Sequence, residues 1–170
     1  LNPTLRVSDV EVTVDREDAN WQFGLILVSA PSGTTTLDLN NMDVTVKMAD
    51  GLPKGNHAII RTGNLGEEKT VNITLTDCQW DTTKASGVHG ILVTNAANAT
   101  ISMTESSIET NNVVPIGDYS YSATVNKTRC NLSVEQGDYI AQVGTTLYTD
   151  IASAIKAVNA ATNNVTLDFV

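Results

Sequence analysis

VNITLTDCQWDTTKASGVHGILVTNAAN, residues 71–98, opens as an alternating strand (Ile73, Leu75), breaks at the polar Asp77 and crosses a short loop. It then enters the apolar run Gly90-Ile91-Leu92-Val93 and ends in Asn/Ala turn chemistry. Alternation of period two marks a strand buried on one side, and a continuous short apolar run marks one buried on both. The same phase recurs before and after this stretch. Leu5-x-Val7-x-Asp9 and Leu37-x-Leu39-x-Asn41 precede it, and Ile101-x-Met103-x-Glu105 follows. A strand, a polar corner and a second strand returning at a spacing of about 30 residues is the signature of stacked repeats, none of which can bury its apolar side alone.

In order, the first repeat runs from Leu5 to about Thr34, with Val10, Val12 and Val14 after a bend at Ser8-Asp9 and an apolar strand over Phe23–Val28. The second, Thr35 to about Thr70, carries Leu37/Leu39, Val44/Val46 and the strand His57–Arg61. Residues 71–98 are the third. The fourth, Thr100–Thr128, keeps Ile101, Met103 and Ile108, and Cys130, Leu132 and Val134 begin a fifth. Stacking predicts the inward column Leu5/Leu37/Ile73/Ile101 and the corner column Asp9/Asn41/Asp77/Glu105, whose polar groups bond to turn backbone or along the stack.

Composition narrows the function classes. Lys and Arg number 10 against 19 Asp and Glu, for a net charge of -9. Such a chain has little with which to neutralise phosphates, so neither a nucleic acid nor an anionic membrane is expected as partner. No apolar run approaches the roughly 18 residues of a membrane span. Because the chain opens inside a strand-like pattern (Leu1–Leu5), it is expected to be a piece of a longer precursor. Cys78 follows the third corner, whereas Cys130 is placed where Ile101 sits; the columns differ, so the thiols are expected to stay free.

Residues 138–170 read differently. Tyr139–Val143 is a strand, Gly144-Thr145-Thr146 a turn and Leu147-Tyr148 a return. Asp150 N-caps a helix with the apolar face Ile151, Ala154, Ile155 and Val158, Asn163-Asn164 ends it, and Val165–Val170 alternates as a strand.

The repeats, over about residues 5–135, resemble the right-handed parallel β-helix of the pectate-lyase-like (pectin lyase-like) superfamily, in spacing and in the phrase Gly87-Val88-His89-Gly90-Ile91-Leu92-Val93. The resemblance implies an all-β solenoid of about 4–5 turns over residues 1–137, without a catalytic signature. A β-sandwich is the rival fold. The segment Tyr139–Phe169 resembles the Ala-x-Val-Gly-x-Thr-x-Tyr…Ala-Ile segment that recurs in large bacterial surface proteins. That similarity implies a secreted or cell-surface bacterial protein of several modules, with 138–170 a strand-helix-strand cap or the start of the next module. An amphipathic helix over an open stack end would also cover unpaired strand edges.

Aligning the second strands on Gly24, Ala58 and Gly90 puts Phe23, His57 and His89 in one column, Leu25/Ile59/Ile91 in the next and Leu27/Arg61/Val93 beyond it. The other face is apolar as well, so this sheet needs a cover, either from within the chain or from a partner. Phe23, Leu25, His57, Ile59, Arg61, His89, Ile91 and Val93 are therefore the candidate binding face. A His57–His89 metal site lacks a third ligand beyond a badly registered Asp118, and no metal or cofactor is expected. For polysaccharide cleavage the available set is Asp43, Asp77, Asp81 and Lys84, with Lys47 nearby, and corner carboxylates have a structural use too. Trp21 and Trp80 are conceivable sugar platforms, but Trp80 aligns with Val12, Val44 and Ile108 and is expected in the core. Thr34-Thr35-Thr36 suggests an ice-binding face, although no regular Thr ladder is legible across repeats. The expected function is a non-enzymatic adhesin-like, ligand-presenting or spacer module meeting a glycan or protein surface and adjacent modules of its own chain. The alternative is a carbohydrate-active lyase or hydrolase.

Overall fold

The computed structural model describes residues 2–16, 24–29, 33–48, 57–63, 69–94, 98–119, 122–135, 141–144, 146–148, 150–162 and 165–169. The first repeat contributes β1 (Thr4–Arg16) and β2 (Gly24–Val28), and the second β3 (Gly33–Met48) and β4 (His57–Thr62). The third supplies β5 (Lys69–Thr76), β6 (Gln79–Lys84) and β7 (Val88–Val93), and the fourth β8 (Asn98–Thr104), β9 (Ser107–Thr110) and β10 (Ile116–Asp118). A fifth adds β11 (Ala123–Thr128) and β12 (Asn131–Val134). The fold is all-β, and every pairing among these strands is parallel. An aligned sandwich of antiparallel sheets is not built this way.

One sheet is curled around the corners. β1 and β3 run through theirs unbroken, whereas later repeats split in two. The first half of β3 continues through β5, β8 and β11, and its second half through β6, β9 and β12. The other sheet is β2-β4-β7-β10. Between the sheets the apolar columns lock in register: Leu5, Leu37, Ile73, Ile101 and Val125 in one, Val12, Val44, Trp80, Ile108 and Leu132 in another. Leu37, Ile73 and Ile101 are buried, while the terminal members Leu5 (43% exposed) and Val125 (37%) show where the described stack stops. Each fully buried Leu or Ile contributes about 1.5–3 kcal/mol, so the middle repeats hold the fold and the outer ones lean on them.

The corners have one backbone solution. Asp9, Asn41, Asp77, Glu105 and Arg129 all take positive φ, between 48° and 57°. This left-handed conformation is tolerated by Asp and Asn, whose short polar side chains bond locally, and it turns the strand sharply enough to curl the sheet. The expected corner column is present, with Arg129 as an additional member. Arg129 also corrects the fifth repeat, which begins at Ala123 and not at Cys130. Val125 occupies the Ile101 column, and Cys130 follows its corner just as Cys78 and Ser106 follow theirs. The cysteines thus share a column two repeats apart, about 10 Å at sheet spacing, which is too far for a disulfide. Both are free, Cys78 buried and Cys130 partly exposed.

The last segment forms β13 (Ala141–Val143), β14 (Thr146–Tyr148), α1 (Ile151–Ala160) and β15 (Leu167–Phe169). Both β14 and β15 flank β13 in antiparallel pairing. Asp150 caps α1, its Oδ1 accepting from the Ser153 N–H at 2.8 Å, and this bond holds its carboxyl below the usual carboxylate range. The helix ends at Ala160, before Asn163-Asn164, which lie outside the described residues. Its buried side is Ala154 with Ala157 and Val158 packed beside Val143 and Leu167, while Ile151 and Ile155, expected inside, are 37% and 47% exposed. Alanines let the helix sit close on a three-stranded sheet, which rotates the bulkier isoleucines outward. These residues form a small core of their own, sharing no member with the core of the repeats.

Candidate functional site

The two-sided apolar strands are buried throughout: every residue of β7 and His57 to Ile60 of β4. That burial of β4 and β7 arises within the chain itself, whereas β2 of the same sheet leaves Leu27 57% exposed. Of the expected binding face, His57, Ile59, His89, Ile91 and Val93 are buried, Leu25 and Arg61 are partly exposed, and Phe23 lies outside the described residues. The register also differs from expectation by one residue. Ala58, not His57, stands beside His89, and His57 stands beside Val88. A strand apolar on both sides has no alternation to fix its phase, so the sequence leaves that slip open.

His89 is held by its Nδ1 at 2.7 Å from the Val114 carbonyl. Burial pushes its pKa down, the Val114 contact opposes this, and the nearby His57 adds to the lowering. Gly90 beside it has no room for a side chain, since a Cβ there would stand 2.5 Å from Ile108 Cγ2. At the strand ends Thr62 and Thr94 clasp each other. The Thr94 N–H donates to Thr62 Oγ1 at 2.7 Å, and Thr62 Oγ1 donates to the Thr94 carbonyl at 2.8 Å. Both threonines are buried, and these bonds satisfy their hydroxyls within the sheet. Among the described residues no three His, Cys, Asp or Glu side chains gather as metal ligands. Asp118 accepts from the Ala123 N–H at 2.7 Å.

Two of the candidate catalytic carboxylates, Asp43 and Asp81, are engaged in holding backbone. Asp43 Oδ1 accepts from the Gln79 N–H of the next repeat at 3.0 Å. Asp81 Oδ1 accepts from the Thr83 N–H at 2.8 Å and from Thr83 Oγ1 at 2.6 Å, and a register shift separates Thr45 from Lys47 on the neighbouring strand. Asp77 is the corner itself, and Lys84 stands beside Lys47, a like charge. From Asp77 to Lys84 the chain spans about 20 Å at strand rise. Along the corners Asn41 Nδ2 donates to Asp9 Oδ1 at 2.9 Å, and Arg129 donates through Nε and Nη2 to Glu105 Oε1 at 2.9 and 2.7 Å. Trp80 is 1% exposed and its Nε1 donates to the Met42 carbonyl at 2.9 Å. It is a core residue; Trp21 lies outside the described residues.

The register reveals an array that the sequence did not. On the outward side of β1, β3, β5, β8 and β11 stand three columns: Thr4/Thr36/Asn72/Thr100/Thr124, Arg6/Asp38/Thr74/Ser102/Asn126 and Ser8/Asn40/Thr76/Thr104/Thr128. All of these residues are exposed or partly exposed. Their only charges, Arg6 and Asp38, face each other at 3.5 Å. Columns repeat about every 4.8 Å across the strands and about 6.7 Å along them. The result is a plane of hydroxyls and amides on an acidic protein. It stayed hidden because Asn and Ser interrupt the threonines, which breaks a pattern of residue type without breaking one of hydrogen-bonding capacity.

Comparison of the chain with protein-family models, with curated proteins and with solved structures finds no match.

Proposed function

We propose that this chain is a non-catalytic extracellular module of a bacterial surface protein, built as a right-handed parallel β-helix. In this reading it presents the hydroxyl-and-amide plane of β3, β5, β8 and β11 to a neutral glycan or protein surface. The observation that carries the reading is that plane: donors and acceptors at regular spacing, neutral but for Asp38, which is paired to Arg6, on a molecule whose net charge is -9. A regular array of weak contacts suits a repeating partner, because many sites engage together. Asp43 and Asp81, two of the carboxylates offered for catalysis, already bond backbone, which supports a structural role for them.

The test is retention on insoluble neutral polysaccharides and on a glycan array, with uronate polymers as the charged comparison. The wild-type chain is expected to be retained on a neutral polymer, and Thr74→Lys with Ser102→Lys, both outward, to abolish retention while far-UV circular dichroism stays unchanged. Binding that survives those changes would move the site elsewhere, and no retention on any surface would leave a spacer. Turnover of a uronate polymer that is lost in Asp81→Ala would establish the lyase or hydrolase alternative instead.

A further inference from the structure

We infer that the outward plane takes an ordered solid in preference to a dissolved chain, and that the solid is a neutral polymer of N-acetylated amino sugar, such as chitin, whose chains are joined amide to amide. The inference rests on the plane being the binding surface and adds the class of glycan that fits it. The plane is the half of the curled sheet that keeps its register. From β3 through β5 and β8 to β11, Thr36, Asn72, Thr100 and Thr124 fall in line, and Asp38, Thr74, Ser102 and Asn126 fall in line beside them. Beyond the corner, β3 and β6 lose step between Thr45 and Lys47.

The two arms also differ in how their polar groups are used. On the second arm Ser107 Oγ donates to Gln79 Oε1, Asn111 Nδ2 donates to the Thr83 carbonyl at 2.8 Å, and Asp43 and Asp81 hold backbone. On the first arm Arg6 and Asp38 pair, and among the described residues no other side chain of the three outward columns bonds to a group of the chain. Their hydroxyls and amides are given to water, so a ligand that displaces the water must return both donors and acceptors.

Spacing selects the solid. The strands of the plane repeat at about 4.8 Å because N–H···O=C bonds set that distance. Where acetamido groups join neighbouring sugar chains, the same kind of bond sets a separation of about 4.8 Å. Each strand can then lie over one chain, with no misfit accumulating from β1 to β11. A glucan has no amide to hold its chains at that distance. An acetamido group brings an N–H, a carbonyl and a methyl, which the Thr hydroxyls and methyls and the Asn amides of the plane match. A single dissolved chain laid along one strand meets only side chains such as Asn72, Thr74 and Thr76 of β5, whereas the solid engages all the strands together. Cross-β protein fibres share the spacing but show only side chains, whereas every sugar unit carries hydroxyls and an acetamido group of its own.

The experiment is depletion of the full chain from solution by crystalline chitin, by microcrystalline cellulose and by silk fibroin fibres as the cross-β solid, with soluble chitin hexamer as competitor. The wild-type chain is expected to bind crystalline chitin at least about tenfold tighter than cellulose or fibroin, and the hexamer at matched sugar concentration is expected not to displace it. Thr74→Ala with Thr76→Ala, both on β5, is expected to weaken chitin binding about tenfold. Ser133→Ala, on the second arm, is expected to leave it unchanged, with far-UV circular dichroism unaltered in both variants. Equal binding to cellulose overturns this inference and leaves the plane as a general glycan surface. Displacement by the hexamer overturns it as well, because that marks a site for a single chain. Tighter binding to fibroin than to chitin makes the partner a protein fibre and overturns it too. Binding that ignores the β5 changes removes the plane from the interaction, and no retention on any solid overturns both this inference and the glycan reading beneath it.

Discussion

Replacing Trp80 probes the core column most sharply, because its neighbours come from other repeats: Val44 on one side and Ile108 on the other. The side chain is 1% exposed and its indole N–H is bonded to the Met42 carbonyl. Trp80→Ala removes a large buried ring and leaves a cavity that two sheets cannot close, a loss of about 3–5 kcal/mol. Trp80→Phe keeps most of the volume and chiefly loses the hydrogen bond, about 1–2 kcal/mol. A domain of this size is stable by only about 5–15 kcal/mol, so the alanine variant should lose a large share of its stability. The assay is urea unfolding followed by far-UV circular dichroism, reading the midpoint at an unchanged slope. In a Trp21→Phe background, Trp80 fluorescence should also resist iodide quenching. A loss under about 1 kcal/mol for Trp80→Ala would refute the burial and with it the alignment of the third repeat between its neighbours.

Three further outcomes follow from the same geometry. Gly90→Ala should cost about 1–3 kcal/mol in the same urea assay, since its Cβ would overlap Ile108 Cγ2, and a neutral result would mean β7 does not lie against Ile108. At the exposed corner Asp77, with φ at 52°, Gly should stay within about 1 kcal/mol of wild type and Val should lose about 1–2 kcal/mol, and equal effects would argue against a left-handed corner. His89 has a folded pKa below its ordinary value, so its stabilising effect is complete above pH 6.5 and is lost as pH falls from there toward the folded pKa. Over that window stability should fall with decreasing pH, by at most about 1.4 kcal/mol per pH unit for one proton, and His89→Gln should flatten the urea-midpoint profile; an unchanged profile would exclude His89 as its source.

How much the sequence discloses varies with the physics of each part. The alternation Ile73-x-Leu75 fixes the phase of β5 because only one face is buried, and its partners Leu37 and Ile101 fall into place accordingly. Asp9, Asn41 and Asp77 announce corners because Asp and Asn accept positive φ. Arg129 does not, and with Lys127 breaking the apolar alternation the start of the fifth repeat was hidden. For His57 and His89 the sequence carries no phase information, because β4 and β7 are buried on both faces, and the structure sets His89 beside Ala58. The outward plane was illegible for another reason: a hydrogen-bonding surface conserves donors and acceptors in space, whereas reading along the chain follows residue names. In α1 the apolar spacing was legible, but which part of it faces the sheet was decided by Ala154 and Ala157, whose small size permits close packing.

Parallel, in-register stacking of the repeats is tested most directly by joining two residues that only this register makes neighbours. Thr74 and Ser102 are outward partners on β5 and β8. With Cys78→Ala and Cys130→Ser removing the native thiols, Thr74→Cys with Ser102→Cys should react with dibromobimane, which fluoresces only on joining two thiols within a few ångströms. The pair Thr74→Cys with Asn126→Cys, in the same outward column but separated by the whole of β8, should not. Fluorescence from the first pair alone is the predicted result. Equal labelling of the two pairs, or none of Thr74–Ser102 in a folded protein, would contradict the stack.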